Sequence, residues 1–301
     1  MHNLTYPDYC RRIFGTTVRK IPVNGGFTCP NRDGTLGHNG CTFCNGEAFV
    51  PSYCRSASTI TQQIDQGIRF HSRRNRNATH YLAYFQSYSS TYAPLHLLQQ
   101  RYEEALSHPA ISGLVISTRP DCIDDEKLDY LASLAQHHYI AIEYGIESCY
   151  DQTLRLVNRG HDFACTQHAI RNTAIRNIAV GGHLILGLPG ETRQQILDEA
   201  DILSTLPLST LKLHQLQLLK GSDLERQWRA DPASIPPPFT FEEYTLLIQD
   251  FLARLRPDIA IERLAAGVPP RYQADLSRCW RRPDGSWIRP ADIAHLLPHN
   301  Q

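Results

Sequence analysis

The sequence contains no apolar run near the ~20 residues that a helix needs to cross a bilayer. Its first residues, with Asp8 ahead of Arg11 and Arg12, also lack the apolar core of a signal peptide. Acidic and basic side chains balance at 30 each, which argues against a surface built for indiscriminate binding to nucleic acid. We therefore expect a cytoplasmic protein without membrane spans, in a compartment that keeps thiols reduced.

Two catalytic signatures are missing, and one residue type is scarce. The sequence has no Walker phosphate-binding loop, and no pair of carboxylates stands out for hydrolysis. The only lysines are Lys20, Lys127, Lys212 and Lys220. Apolar residues make up 42% of the 301 residues, which is enough to build one large domain or two.

Cysteine, in contrast, occurs nine times, and three of the cysteines form a compact motif. Residues 29–44 read CPNRDGTLGHNGCTFC, so eleven residues separate Cys29 from Cys41 and two separate Cys41 from Cys44. Two cysteines at this short spacing can bind one metal ion or one cluster, and a glycine-rich loop returns the third. Three thiolates on a [4Fe–4S] cluster leave one iron free to bind a small molecule.

A fourth cysteine leaves another interpretation open. Cys54 lies nine residues beyond Cys44, so the motif is also compatible with a four-thiolate structural zinc site. A disulfide framework is less favoured, because the cysteine count is odd and nothing looks secretory. The remaining cysteines are predicted to be small buried hydrophobic residues: Cys10, Cys122, Cys149, Cys165 and Cys279.

Apolar segments recur about every 30 residues after the cysteine loop, which is the size of a βα unit. Strands are predicted at 19–23, 79–85, 113–117, 139–146, 183–188 and 210–219, and helices at 59–74, 94–107, 124–137, 163–177 and 194–206. Strands that alternate with amphipathic helices predict an α/β fold with a parallel sheet and helices outside it. Six units are too few for a complete eight-stranded barrel.

A proline-rich segment at 231–238 predicts a domain boundary, because it cannot continue a helix. We expect a core over residues 1–230, including a cluster loop at 24–54. Residues 231–301 are expected to form a small C-terminal α/β extension that caps the barrel. Within that extension, a helix is predicted at 241–255 and a strand at 258–264.

Four motifs lie at the ends of predicted strands. They are STRPD (117–121), EYGIES (143–148), LVNRGHD (156–162) and HLILGLPGET (183–192). In this order behind the cysteine loop, they resemble the radical SAM superfamily, including oxygen-independent coproporphyrinogen oxidase and the elongator catalytic subunit. Phe43, just before the last cysteine, belongs to the same resemblance. The eleven-residue spacing is similar to that of the YhcC-like bacterial family.

The resemblance implies a partial TIM-type (β/α)6 barrel with its cofactor at the C-terminal ends of the strands. It implies a [4Fe–4S] cluster on Cys29, Cys41 and Cys44, whose free iron binds S-adenosyl-L-methionine (SAM). Reductive cleavage of SAM then gives a 5′-deoxyadenosyl radical, with a flavodoxin- or ferredoxin-like protein as electron donor. No catalytic side chain for the substrate reaction is predicted.

The resemblance also implies residues that bind the cofactor. They are Gln86, Ser87, Ser117, Glu147, Arg159, His183 and Gly187. His183 is expected to point either to the site or into the core. Gln86 and Ser87 stand where many relatives have a glycine-rich motif, and Ser117 stands where related families often carry glutamate. Arg159 matches an arginine that lies near the cofactor carboxylate in those relatives.

The substrate is not evident from these residues. Lys212, His214 and Lys220 end the sixth predicted strand and are expected either to touch substrate or to be solvated. Arginines alternate with aromatic residues near the C-terminus, a pattern that can hold phosphates and stack on unpaired bases of an RNA such as tRNA, or instead cap the barrel. These residues are Arg271, Arg278, Arg281, Arg282 and Arg289, with Tyr272, Trp280 and Trp287. Two functions without catalysis also stay open: a zinc-stabilised RNA-binding module and an iron–sulfur redox sensor.

Overall fold

The computed structural model describes residues 3–46, 50–56, 59–72 and 80–275, together with 280, 284, 286, 288, 292 and 293. Most of the predicted C-terminal arginine and tryptophan cluster lies outside the described residues, namely Arg278, Arg281, Arg282, Trp287 and Arg289. Cys279 lies outside them as well.

Seven strands form one parallel sheet in the order of the sequence. They are β1 (Val18–Val23), β2 (His80–Phe85), β3 (Ile111–Thr118), β4 (Tyr139–Glu147), β5 (Ala179–Leu186), β6 (Thr210–Gln215) and β7 (Ala260–Arg263). The sheet curls into a partial barrel, which confirms the predicted α/β fold and partial TIM-type architecture. The seventh strand lies in the expected C-terminal extension but pairs directly with β6, so the same sheet continues across the predicted boundary.

Helices connect the strands and pack mainly on the outside of the sheet. They are α1 (Tyr6–Phe14), α2 (Ser52–Ser56), α3 (Ile60–Ser72), α4 (Leu95–Leu106), α5 (Asp125–Ala135), α6 (Asp151–Leu156), α7 (Phe163–Ala174), α8 (Arg193–Ser204), α9 (Asp223–Ala230) and α10 (Phe241–Arg254). Thr192 and Thr240 begin α8 and α10 with capping boxes, in which side chains satisfy the free N–H groups of the first turn. In the described ranges, no helix is long and apolar enough to span a membrane.

Residues alternate between the two faces of each strand, and β4 shows the pattern clearly. Ile140, Ile142 and Tyr144 point outward and are buried in the main core under the helices. Ala141 and Glu143 point into the barrel. Ala141 belongs to a small apolar cluster at the N-terminal end of the barrel, against which Phe14 of α1 packs. The barrel interior is therefore closed at that end and polar above it.

The two edge strands, β1 and β7, are joined by the N-terminal segment. The backbone N–H of Leu4 donates to Pro257, and its carbonyl accepts from Ile261 of β7. Lys20 of β1 forms an ion pair with Glu262 of β7 across the same gap. The open side of the partial barrel is thus covered near its N-terminal end.

Candidate functional site

A cavity of about 270 Å³ lies at the C-terminal ends of the strands. Cys29, Cys41 and Cys44 all line it, together with side chains from the ends of β2 to β7. This is the position expected for a ligand site in a barrel of parallel strands.

Turns fold the cysteine loop back on itself. The N–H of Arg32 donates to the carbonyl of Cys29 at 2.8 Å, and the N–H of Cys44 donates to that of Cys41 at 2.9 Å. Gly40 has a positive φ of 78°, which favours glycine at this turn. The loop is tied to the barrel by Asn158, whose Nδ2 donates to the Gly40 carbonyl at 3.0 Å. These hydrogen bonds hold Cys29 in the same cavity as Cys41 and Cys44.

The fourth cysteine of the motif region points elsewhere. Cys54 lies on α2 and does not line the cavity; its thiol donates to the carbonyl of Pro22 at 3.5 Å. Burial raises the pKa of Cys54 to about 12. Burial, together with the neighbouring thiols of Cys41 and Cys29, raises the pKa of Cys44 to about 11. The structure therefore groups three thiols and separates Cys54 from them.

The three thiols do not converge on a single point. Among the described residues, no three histidine, cysteine, aspartate or glutamate side chains are placed to share one metal ion. A [4Fe–4S] cluster requires no such convergence, because each thiolate binds a different iron. The donor set thus fits a cluster better than it fits a single zinc ion.

Three side chains direct N–H groups at the sulfur of Cys41. The distances to Sγ are 3.5 Å from Arg159 Nη1, 3.6 Å from Asn31 Nδ2 and 4.0 Å from Arg119 Nη1. Asn31 and Arg119 are both buried. Such donors stabilise negative charge on a metal-bound sulfur.

Arg119 was not predicted as a site residue, although it belongs to the STRPD motif. It directly follows β3. Its guanidinium donates two hydrogen bonds to the carboxylate of Asp121, from Nε to Oδ1 at 2.8 Å and from Nη2 to Oδ2 at 2.7 Å. Its Nη2 also donates to the carbonyl of Arg159 at 2.7 Å. The sequence signal that could have identified Arg119 is the Arg-x-Asp spacing just after a strand. This spacing places a guanidinium group and the carboxylate that it pairs with in one turn.

Glu147 and Arg159 meet at the end of β4. Their charged groups lie 3.6 Å apart, and Arg159 Nη2 donates to the carbonyl of Gly145 at 2.6 Å. A Cβ on Gly145 would lie 2.4 Å from Glu147 Oε1 and 2.7 Å from Arg159 Nη2, so a side chain there would displace both charged groups. Glu147 itself has a φ of 67°, a strained conformation for a residue with a side chain. Gly145 is the glycine of the EYGIES motif, and its lack of a side chain leaves room for both charged groups.

The predicted cofactor residues divide into two groups. Gln86, Ser117, Glu147, Arg159 and His183 line the cavity. Ser87 and Gly187 are not among its lining residues.

Ser87 and Gly187 lie in surroundings that differ from those of the five lining residues. Ser87 is buried, and its Oγ has no hydrogen-bond partner within the described ranges. Gly187 has a φ of 86°, and a Cβ there would lie 2.7 Å from the ring of Phe239. Gly187 therefore serves the turn after β5 and its packing against Phe239.

Four charged side chains form a closed ring across the barrel interior, below the cavity. Lys20, Glu143, Lys212 and Glu262 alternate in sign and come from β1, β4, β6 and β7. Burial alone would raise the pKa of Glu143, but the charges of Lys20 and Lys212 hold it well below its usual range. We call these four residues the charge ring.

Polar side chains connect the charge ring to the cavity. Glu143 accepts from His183 Nε2 at 2.9 Å and from Ser117 Oγ at 3.2 Å. The centre of the aromatic ring of Tyr84 lies 4.4 Å from Lys212 Nζ. The Tyr84 hydroxyl lies 3.0 Å from both Lys212 Nζ and Ser117 Oγ. Ser117 and His183 thus belong to the floor of the cavity.

The residues predicted at the end of β6 have different positions. Lys212 and His214 line the cavity, whereas Lys220 is exposed and does not line it. The backbone of Lys220 bonds Asn45 of the cysteine loop and Tyr272. Lys220 therefore ties the loop to the barrel through its main chain.

Comparisons with known proteins agree with this geometry. The model of the Radical SAM superfamily matches residues 31–203, and that of the Radical_SAM C-terminal domain matches residues 208–284. Protein YhcC of Escherichia coli is 37% identical over 265 residues, which cover 88% of this chain and 83% of YhcC. YtqA of Bacillus subtilis is 34% identical over 271 residues, covering 89% of this chain and 81% of YtqA.

A solved structure shows the same fold. The archaeal Elp3 of Methanocaldococcus infernus superposes with a TM-score of 0.64 at 16% identity, covering 86% of this chain and 59% of Elp3. The superfamily match favours catalysis over the zinc-stabilised module and the redox sensor. The chain belongs to the radical SAM superfamily, within the family of YhcC and YtqA, and is a radical SAM enzyme with a [4Fe–4S] cluster and S-adenosyl-L-methionine as its cofactors.

Proposed function

We propose that Cys29, Cys41 and Cys44 hold the cluster in this cavity, with SAM beside it, and that the enzyme abstracts hydrogen from a substrate bound in the barrel. When bound and reduced, this cofactor pair supplies a 5′-deoxyadenosyl radical. The observation that carries the proposal is that these three thiols line one cavity while Cys54 is bonded to Pro22 outside it.

The side chains around the cysteines supply complementary charge. In this proposal Arg159 pairs with the carboxylate of SAM and Glu147 with its ammonium group, since both line the cavity, lie 3.6 Å apart and carry the complementary charges. Gln86, Ser117 and His183 offer further polar contacts to cofactor or substrate. Ser87 and Gly187 are not proposed to contact the cofactor, since neither lines the cavity.

In this proposal the floor of the barrel excludes water from the cavity. Below the cavity lie the charge ring and then the apolar cluster of Leu82, Val115 and Ala141, capped by Phe14. A radical that abstracts hydrogen must be kept from solvent and other quenchers, and a floor closed in two layers does this from one side.

The electron donor and the compartment follow from the same chemistry. We propose a flavodoxin- or ferredoxin-like donor, because the cluster must receive a single electron at low potential. We also propose a cytoplasmic location, where thiols stay reduced.

A tRNA substrate is a second, narrower proposal. Among the described residues, Arg271 lies 5.0 Å from the ring of Tyr272, the pairing of cation and aromatic ring expected for RNA contacts. Phosphate contacts release counterions, so true tRNA binding weakens steeply as salt rises. Affinity for tRNA across a salt series, in wild type and in Arg281→Ala/Arg282→Ala, tests it; equal binding by both proteins contradicts it.

The main proposal is tested with anaerobically reconstituted protein. We expect brown protein that yields 5′-deoxyadenosine when SAM and a strong reductant are added. Colourless protein that holds one zinc ion and produces no 5′-deoxyadenosine contradicts the proposal.

A further inference from the structure

The strands β5, β6 and β7 contribute five polar side chains to the cavity: His183, Lys212, His214, Gln215 and Arg263. Within the described ranges, none of them is hydrogen-bonded to a cysteine thiol. We propose that His214 and Arg263 form the substrate subsite, and that the group of the substrate bound there is an oxyanion, a carboxylate or a phosphate. This inference rests on the proposed function and adds the substrate class to it.

Three of the five side chains are already occupied. The amide of Gln215 donates to the carbonyl of Ala266 and accepts from its N–H. Lys212 Nζ lies 2.6 Å from Glu143, 3.1 Å from Glu262 and 3.0 Å from the hydroxyl of Tyr84, so its three donor positions have partners. His183 is bonded to Glu143 through Nε2. The charge ring contains two cations and two carboxylates and is neutral as a whole. Neither Lys212 nor the ring therefore offers an uncompensated charge to a ligand.

Arg263 does offer such a charge. It ends β7, is exposed and lines the cavity, and it makes no ion pair with the described residues. The arginines near Cys41 differ, because Arg119 is paired with Asp121, and Arg159 lies beside Glu147 in the part of the cavity proposed for SAM. An oxyanion at Arg263 would give this guanidinium the partner that the protein does not supply.

His214 lies on the adjacent strand β6, two residues beyond the register partner of Arg263, and has an unused nitrogen. Its Nε2 is buried and has no hydrogen-bond partner among the described residues. Burial, followed by the charges of His183, Arg263 and Lys212, lowers its pKa well below the usual range, so His214 is neutral at pH 7. A neutral imidazole donates one hydrogen bond and accepts another, and a bound ligand with polar atoms would satisfy the free position.

Together these two groups select a class of ligand. A guanidinium and a neutral imidazole on adjacent strands that line one cavity bind an oxyanion by charge and by hydrogen bond.

The test measures the binding of two simple oxyanions, radiolabelled inorganic phosphate and acetate, by equilibrium dialysis against anaerobically reconstituted protein. Saturating SAM is present without reductant, so that its own carboxylate occupies the arginines near the cysteines. The variants are Arg263→Gln, Arg263→Lys and His214→Gln. Arg193→Gln is the matched control, because Arg193 is an exposed arginine that does not line the cavity.

We expect wild type to bind at least one probe, Arg263→Gln to lose at least tenfold in affinity, His214→Gln to lose less, and Arg263→Lys and Arg193→Gln to stay close to wild type. The tighter probe identifies the group as phosphate or carboxylate. Failure of wild type to bind either probe, or equal binding by wild type and Arg263→Gln, overturns the inference. Iron content is measured on the same preparations, and 5′-deoxyadenosine formation on separate aliquots to which reductant is added, so loss of the proposed function is seen separately from loss of anion binding.

Discussion

The cysteine end of the cavity and the charge ring below it satisfy their polar groups in opposite ways. In the charge ring, each of two lysines meets two carboxylates, and the structure is complete without a ligand. At the cysteine end, Asn31, Arg119 and Arg159 all point N–H groups at one sulfur. The charge ring stabilises the barrel, whereas the N–H groups around Cys41 are suited to binding a negatively charged cluster.

The largest effect is expected from breaking the charge ring. Glu143→Gln removes one carboxylate and leaves Lys20 and Lys212 with only Glu262 as a buried counter-charge. Loss of one partner from a buried ion pair costs about 3–5 kcal/mol, so we expect a decrease of that order in the free energy of unfolding. Urea unfolding measures it. Asp250→Asn, which removes an exposed partner of Arg193, should change stability by less than about 1 kcal/mol; an equally small effect of Glu143→Gln would show that the ring is not structural.

Acid should weaken the same ring. The pKa of Glu143 is held below its ordinary value of about 4.3 in the folded protein, so folding favours the ionised carboxylate. The stabilisation is fully present above pH 4.3 and is lost as pH falls below that value and through the folded pKa. Thermal unfolding of wild type and Glu143→Gln between pH 6 and pH 3 measures the effect. The two proteins should converge in stability as the pH falls, and a constant difference across this range would contradict this assignment.

A smaller effect is expected at the cysteine end. Asn31→Ala removes one donor to the sulfur of Cys41, which destabilises the more negative, reduced cluster. One hydrogen bond of about 1 kcal/mol corresponds to roughly 40 mV for a one-electron couple, so the midpoint potential should fall by that order. A redox titration followed by electron paramagnetic resonance measures it. Asn45→Ala is the control, because Asn45 lies in the same loop but bonds the carbonyl of Lys220; an equal shift in both variants would assign the effect to loop packing.

Much of the fold was predictable because βα units leave a local pattern. The strand at 258–264 was also predicted, and β7 is found there at Ala260–Arg263. Its place in the main sheet was not predicted, because pairing with β6 is a tertiary contact that leaves no trace in either segment. The proline-rich segment 231–238 was a sound signal for the end of a helix but not for the end of the sheet.

The site was predictable where its chemistry is local. The spacing of Cys29, Cys41 and Cys44 was visible in the sequence, and the three thiols do share a cavity. Asn31 and Arg119 were missed, because their relation to Cys41 exists only after the loop has folded onto the strand ends. Gln86 and Ser87 were predicted because they stand where relatives have a glycine-rich motif, yet only Gln86 of the two lines the cavity.

The most direct test of the account is the iron content of four single variants after anaerobic reconstitution: Cys29→Ala, Cys41→Ala, Cys44→Ala and Cys54→Ala. Three thiolates on a cluster predict that the first three variants lose their iron and that Cys54→Ala keeps the wild-type amount. A tetrahedral four-thiolate site would need all four cysteines. Equal metal loss in all four variants would contradict the assignment of Cys29, Cys41 and Cys44 as the cluster ligands.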